Sequence, residues 1–249
     1  MNNTETIVIT GASSGFGKAI SHRFLIEGYN VVAIARRADN LNELSKTFPG
    51  RVLPVIADIT DKKSVEEALK GIPKEFGYIC GLVNNAGLSL GFGPAQHNDF
   101  SDWEAMINTN IIGLLHITKI LIEKFISQNR GHIINIGSVA ANYPYMGSNV
   151  YGASKSFVHN FSLNLKTDLE GTNIRVSCIA PGLSKTEFAL VRFKGDVKKA
   201  DALYENKTYL TSENIAEMVF WTYSLPSNMN VNILEVMPTG QSFALGFNK

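Results

Sequence analysis

Tyr151 and Lys155 stand four residues apart in Val150-Tyr151-Gly152-Ala153-Ser154-Lys155, a spacing that places a phenol and an ammonium on one face of a helix. A phenol can exchange a proton with a carbinol hydroxyl while a hydride leaves or joins the carbon. Its ordinary pKa near 10 matches neutral pH poorly, so a fixed positive charge beside it is needed, and Lys155 is expected to lower the Tyr151 pKa. Ser138 lies upstream, just past the apolar run His132 to Gly137, where a central strand of a parallel sheet would end and a ligand would bind. Taken alone, Tyr-x-x-x-Lys is expected by chance roughly half a time per chain of this composition. A surface pair that stabilises a helix is the competing reading.

A second constellation concerns phosphate. Thr10-Gly11-Ala12-Ser13-Ser14-Gly15-Phe16-Gly17 joins an apolar β-rich run to a helical pattern beginning near Lys18. Glycines let such a turn approach a ligand closely, and the free N–H groups and dipole at the following helix start favour an anion. The GxxxGxG spacing differs from both GxGxxG and GxxxxGK[ST], and the loop lacks the lysine an ATPase would need. The next β-rich run ends in Ala35-Arg36-Arg37, and no Asp or Glu occurs from Gly28 to Ala38. An NAD site would place an acid there for the ribose 2′-hydroxyl. Paired guanidiniums suit a 2′-phosphate instead, which points to NADP. The bland alternative is that Arg36 and Arg37 decorate a helix start.

Positioning these groups requires a large core, and the chain can supply one. It has 249 residues, 45% hydrophobic and 18% charged, which disfavours intrinsic disorder. With 23 Lys+Arg against 22 Asp+Glu and no basic stripe, a nucleic-acid partner is not expected. No membrane association is expected either, because no window holds about 18 uninterrupted apolar residues. The start Met1-Asn2-Asn3-Thr4-Glu5 lacks the features of a signal peptide, so a cytoplasmic location is expected. Cys80 and Cys178 sit in apolar surroundings and read as buried thiols rather than a disulfide. The histidines, His22, His97, His116, His132 and His159, show no metal-ligand spacing, and no metal is expected.

Short β-rich runs alternate with helical periodicity, the pattern of a parallel sheet covered on both faces, that is, an α/β fold. The runs are Thr6 to Thr10, Asn30 to Ala35, Arg51 to Ala57, Gly81 to Asn84, His132 to Gly137, Ile174 to Ile179 and Val231 to Met237. Helices are expected over 15–27, 40–47, 61–71, 100–128, 150–170 and 212–224, with Thr60, Ser101 and Thr211 as N-caps. No linker or repeat divides the series, so 1–249 is read as one domain. The stretch 183–210 follows Pro181-Gly182, mixes aromatics with basic residues and lacks sustained periodicity. It is expected to be a lid or binding loop, against the alternative of a solvated excursion.

The combination of Thr10 to Gly17, Asn84-Asn85-Ala86-Gly87, Asn110, Ser138, Tyr151, Lys155 and Pro181-Gly182 resembles the short-chain dehydrogenase/reductase family in order and spacing over nearly the whole chain. The resemblance implies a single-domain Rossmann-like doubly wound sheet in order 3-2-1-4-5-6-7, a nicotinamide cofactor and a catalytic set of Asn110, Ser138, Tyr151 and Lys155. In such a set Ser138 orients the substrate oxygen, Lys155 also binds the nicotinamide ribose, and Asn110 holds a water on the proton-relay path. An ordinary helix-face amide is the other reading of Asn110. The implied cofactor contacts are Gly11, Ser13, Ser14, Gly15, Phe16, Gly17, Arg36, Arg37, Asp58, Ile59, Asn85, Ala86, Gly87, Tyr151, Lys155, Pro181, Gly182 and Thr186. Asp58 could equally cap the turn before Thr60. A homotetramer or homodimer, built through the helices at 100–128 and 150–170, is also implied.

A narrower likeness runs through Asn84 to Gly91, Gly131 to Ser138, Thr186-Glu187-Phe188 and Val191 to Asp196, which are similar to NADP-dependent 3-hydroxy acid dehydrogenases. Members oxidise serine, allo-threonine and related acids and reduce malonic semialdehyde. Such a substrate carries a carboxylate near the reacting carbon, for which Arg192 is the bidentate candidate. Arg192 is equally placed to clamp the cofactor or pair with Glu187. Tyr143, Met146 and Asn149, between Ser138 and Tyr151, are expected to line the same pocket. A reductase of neutral ketones, aldehydes or quinones is the close alternative. A non-catalytic NADP sensor would have no need of the proton-transfer set.

Overall fold

The computed structural model describes residues 5–243. The apolar runs form β1 (Thr6–Thr10), β2 (Asn30–Ala35), β3 (Val52–Ile56), β4 (Ile79–Asn84), β5 (Gly131–Ile136), β6 (Ile174–Pro181) and β7 (Ile233–Val236). They hydrogen bond in the order β3-β2-β1-β4-β5-β6-β7, every pair parallel. The helices are α1 (Gly15–Ile26), α2 (Ala38–Thr47), α3 (Lys62–Lys70), α4 (Phe100–Ile107), α5 (Leu114–Gln128), α6 (Asn149–Asp168), α7 (Phe188–Arg192), α8 (Val197–Ala202) and α9 (Ser212–Ser224). This is the expected Rossmann-like fold.

Both faces of the sheet are covered, which explains why the strands read as continuous apolar runs. Side chains alternate across a strand. Ile7, Ile9, Val31 and Ala33 therefore pack in one layer with Phe24 of α1 and Val219 of α9. Val8, Val32 and Ile34 point the other way, toward Ile117, Leu121 and Phe125 of α5 and Leu165 of α6. The helical stretch Phe100–Gln128 is apolar and long enough to cross a bilayer by composition alone. Ile117, Leu121 and Phe125 spend that apolarity on the sheet.

The helix expected as one piece over 100–128 is broken by a π turn at Asn108–Gly113, between α4 and α5. Such turns insert a residue and re-aim side chains, often at functional sites. Gly113 fits there because a Cβ would lie 2.7 Å from Ile59 Cδ1. Two expected N-caps also differ. Asp61 caps α3, accepting from the Ser64 N–H at 3.2 Å, while the Thr60 hydroxyl donates to Asp58 instead. Asp99 precedes α4, so Ser101 lies inside its first turn. Thr211 does cap α9, in a reciprocal capping box with Asn214.

The stretch 183–210 contains α7 and α8, which at five and six residues are too short to show a repeat in sequence. Its two ends are tied, Lys185 N–H donating to the Leu210 carbonyl and Leu210 N–H to that of Leu183, each at 2.9 Å. Ala189, Ala200 and Tyr204 give it a small core of its own.

Phe24 is fully buried, edge-on to Tyr29, Phe220 and Tyr223 with ring centres 5.1–5.5 Å away. Phe24→Ala should lower the unfolding free energy by about 3–5 kcal/mol. Chemical denaturation of the two proteins would measure it; a loss below about 1 kcal/mol would contradict this packing.

Candidate active site

The strand order reverses between β1 and β4, and a cleft of about 790 Å³ opens at the carboxyl ends of the strands there. At one end lies the glycine turn. Gly11 has φ +66°, and a Cβ on it would lie 2.8 Å from Asn85 Nδ2. Gly17 leaves no space for a Cβ against the Gly11 carbonyl. Asn85 staples this turn, its amide donating to the carbonyls of Thr10 at 2.9 Å and Gly11 at 3.3 Å. Thr10 Oγ1 in turn accepts from the N–H groups of Asn85 and Ala86, both at 3.0 Å. Ser14 precedes α1 without capping it through its side chain, so the first N–H groups of that helix face the cleft free for an anion.

Arg36 and Arg37 stand at the end of β2, and both line the cleft. Each already meets a carboxylate. Arg36 Nη1 is 3.5 Å from Asp58, and Arg37 Nη1 is 2.8 Å from Glu187 at the foot of α7. Asp58 also accepts from the Thr60 N–H at 2.9 Å, so its turn-capping reading is realised. Burial would raise the Asp58 carboxyl, but the Thr60 hydrogen bonds and the Arg36 charge hold it below the usual carboxylate range. A nucleotide with a phosphate beyond its pyrophosphate fits this arrangement: a glycine cradle, a free helix N-terminus and two guanidiniums line one continuous cleft.

At the other end are the groups suited to proton transfer. Tyr151 and Lys155 are 8% and 6% exposed on the inner face of α6. The Ser138 hydroxyl, at the end of β5, accepts from the Ala140 N–H at 3.1 Å and lines the same cleft as the Tyr151 phenol. Lys155 Nζ donates to the Ile136 carbonyl at 2.8 Å and lies 5.9 Å from the Tyr151 ring centre. Burial raises the Tyr151 pKa, Tyr145 adds to the rise, and Ser138 and the Arg192 charge oppose it. The expected lowering by Lys155 is thus reversed in the protein alone, because removing the phenol from water outweighs the neighbouring charges.

Asn110 does not line the cleft. The π turn points it inward at 1% exposure, where Oδ1 accepts from the Leu88 N–H at 2.8 Å. Its Nδ2 donates to the Leu88 carbonyl at 2.9 Å and to Ser154 Oγ at 3.0 Å. The amide therefore ties the segment after β4 to α6 between Tyr151 and Lys155, and is no ordinary helix-face group. Ile59, Ala86, Gly87, Pro181, Gly182 and Thr186 line the cleft, as do Ser13, Gly15 and Phe16.

Three expected pocket residues lie elsewhere. The Tyr143 hydroxyl donates to Glu235 at 3.1 Å, Met146 is 57% exposed, and Asn149 Oδ1 accepts from the Val150 N–H. The turn from Ser138 to Tyr151 has no period that would have told Tyr143 from Tyr145, and it is Tyr145 that lines the cleft. Its hydroxyl accepts from Arg192 Nη1 at 2.8 Å. Arg192 is 5% exposed and donates further to the carbonyls of Gly147 at 3.1 Å and Gly91 at 3.4 Å. It does not pair with Glu187. Phe188, packed 5.5 Å from the Tyr151 ring, is another lining residue that sequence alone does not single out.

Burial lowers the Lys155 pKa to about 8, with Cys178 opposing. Between that value and the ordinary 10.5 the unfolded chain binds more protons than the folded one, so stability rises with pH through this window. The Lys155 penalty is complete below about pH 8. Comparison with Lys155→Met isolates it: from pH 7 to pH 11 the stability of wild type relative to the variant should rise by on the order of 3 kcal/mol. A constant difference in denaturation midpoints would show that this amine is not depressed.

Residues 5–196 match the short chain dehydrogenase family model. NADP-dependent 3-hydroxy acid dehydrogenase YdfG of Salmonella typhi is 48% identical over 239 residues, 96% of each chain. Sulfoacetaldehyde reductase 2 of Chromohalobacter salexigens is 45% identical over 244 residues, 97% of each chain. Among solved structures, the closed form of serine dehydrogenase complexed with NADP+ is similar at a TM-score of 0.95 and 46% identity, covering 98% of both chains. The cleft, the strand order and these similarities agree: the chain belongs to the short-chain dehydrogenase family.

Proposed function

We propose that this NADP-dependent oxidoreductase acts on small 3-hydroxy acids such as serine, allo-threonine or 3-hydroxypropionate, and in reverse reduces malonic semialdehyde. The observation that carries the substrate class is Arg192. A buried guanidinium without a counter-charge is costly, and among the described residues no Asp or Glu pairs with Arg192, whose hydrogen bonds go to Tyr145 and two carbonyls. A substrate carboxylate would supply the missing anion beside Tyr151, whose ring centre is 5.9 Å from the guanidinium carbon. The names of the relatives, a 3-hydroxy acid dehydrogenase, a serine dehydrogenase and a sulfoacetaldehyde reductase, all denote small substrates bearing an anionic group.

The cofactor would be held by the turn Gly11 to Gly17, by Arg36 and Arg37 at the 2′-phosphate, by Asp58 and Ile59 at the adenine, and by Asn85 to Gly87, Pro181, Gly182 and Thr186 along its length. When bound, it accepts or supplies the hydride. Ser138 orients the substrate oxygen toward Tyr151. Tyr151, whose burial strengthens the protonated form, donates its proton to the carbonyl oxygen during reduction; in oxidation its phenolate, favoured by Ser138 and the Arg192 charge, takes the carbinol proton. Lys155 adds positive charge and binds the nicotinamide ribose. Asn110 holds the segment after β4 in register with α6, and its remaining oxygen lone pair is where it would hold a relay water.

The segment 183–210 is the lid of this single domain in the same reading. Residues Ile112, Ile126, Phe157 and Leu163 on the outer faces around α5 and α6 stay 36–50% exposed, which supports assembly there as a homotetramer or homodimer. A cytoplasmic location accords with two free thiols, Cys80 and Cys178.

Tyr151→Phe should reduce turnover by about 10³-fold or more while leaving NADPH affinity nearly intact; activity within tenfold of wild type would remove Tyr151 as the proton donor. For the substrate class, catalytic efficiency of Arg192→Met is compared on 3-hydroxypropionate and on a neutral secondary alcohol. A selective loss of about 10- to 100-fold on the acid is expected. Equal losses on both would assign Arg192 to structure alone and favour a reductase of neutral carbonyls.

A further inference from the structure

The stretch Gly28 to Ala38 holds no acid, yet the fold brings one to Arg37 from a distance. Glu187 Oε2 lies 2.8 Å from Arg37 Nη1, and Arg37 Nε also donates to Ser13 Oγ at 3.3 Å. With Asp58 on Arg36, the two guanidiniums at this corner face two carboxylates, so these four groups carry no net charge before any ligand arrives. A 2′-phosphate entering there adds about two negative charges to Glu187's surroundings. It must either displace the carboxylate from Arg37 or share the guanidinium with it, and both reduce its net gain. A ribose 2′-hydroxyl meets no such opposition.

We propose that Glu187 is a cofactor-discriminating residue: a carboxylate delivered by the base of α7 that competes with the 2′-phosphate for Arg37 and moderates the preference for NADP over NAD. This rests on the reading that Arg36 and Arg37 receive the 2′-phosphate. Glu187 and Arg37 are each about half exposed, at 54% and 50% of their side chains, so exchange of one anion for another needs no rearrangement of the core. Solvent also limits the size of the effect.

The test is calorimetric titration of the cofactor-free protein with adenosine 2′,5′-bisphosphate and, separately, with adenosine 5′-monophosphate. Glu187→Gln should bind the bisphosphate about two- to fivefold more tightly and the monophosphate unchanged. Glu187→Ala should change affinity in the same direction, and unfolding midpoints check that both variants are folded. In an Arg37→Ala background the Glu187→Gln gain should vanish, since the competition needs the guanidinium. Unchanged bisphosphate affinity in Glu187→Gln, or equal changes for both nucleotides, overturns the proposal while a weakened Arg37→Ala leaves the arginine reading standing. If Arg37→Ala itself binds the bisphosphate like wild type, that reading fails and the proposal with it.

Discussion

Two cations and a phenol are buried together at the carboxyl edge of this sheet. Lys155, Arg192 and Tyr151 are each 5–8% exposed, and neither cation has a carboxylate partner among the described residues. Charges withdrawn from water in this way are tolerated only where dipoles or ligands replace the lost hydration. Here the replacements are backbone carbonyls: Ile136 for Lys155, Gly91 and Gly147 for Arg192. Those carbonyls belong to the end of β5 and to the loops after β4 and before α6. The fold must therefore hold three separate segments within hydrogen-bond distance of two long side chains.

It does so through buried polar contacts set just beneath the cleft. Asn84 at the end of β4 donates to Asn135 of β5 and to Thr118 of α5, each at 2.8 Å, and Asn135 passes a hydrogen bond to Ser162 of α6 at 2.9 Å. One row thus links two strands and two helices. Asn110 adds a second tie from the π turn to Leu88 and Ser154. Such links cost stability if broken, because each stranded partner is far from water. Apolar layers on both faces of the sheet keep the row dry and hold its members in register.

The backbone of this arrangement was legible because it is periodic. β1 and β2 fall on the expected residues, since strands buried on both faces are written as unbroken apolar runs ending at Gly11 and Arg36. Ser138, Tyr151 and Lys155 were legible because their chemistry is carried by type and spacing. What escaped depends on contacts between distant segments. The interruption at Asn108–Gly113 carries no Pro or other helix-breaking signal before Gly113, and it places Asn110 against Leu88, a contact between segments far apart in sequence. Tyr145 rather than Tyr143 faces Arg192 because of how one aperiodic turn folds. Glu187 meets Arg37 across 150 residues of sequence. The state of Tyr151 could not be read either, since a motif records its neighbours and not its burial.

The short helix α7 connects these matters. Glu187 at its foot engages Arg37, at the cofactor end of the cleft, and Arg192 in its last turn engages Tyr145, Gly91 and Gly147, at the end holding Tyr151. Five helical residues span only about 7–8 Å. Phe188 and Ala189 pin its first turn, the first against Tyr151 and the second in the small core of the 183–210 segment. One short helix and the residue before it thus place a charged side chain in each half of the cleft.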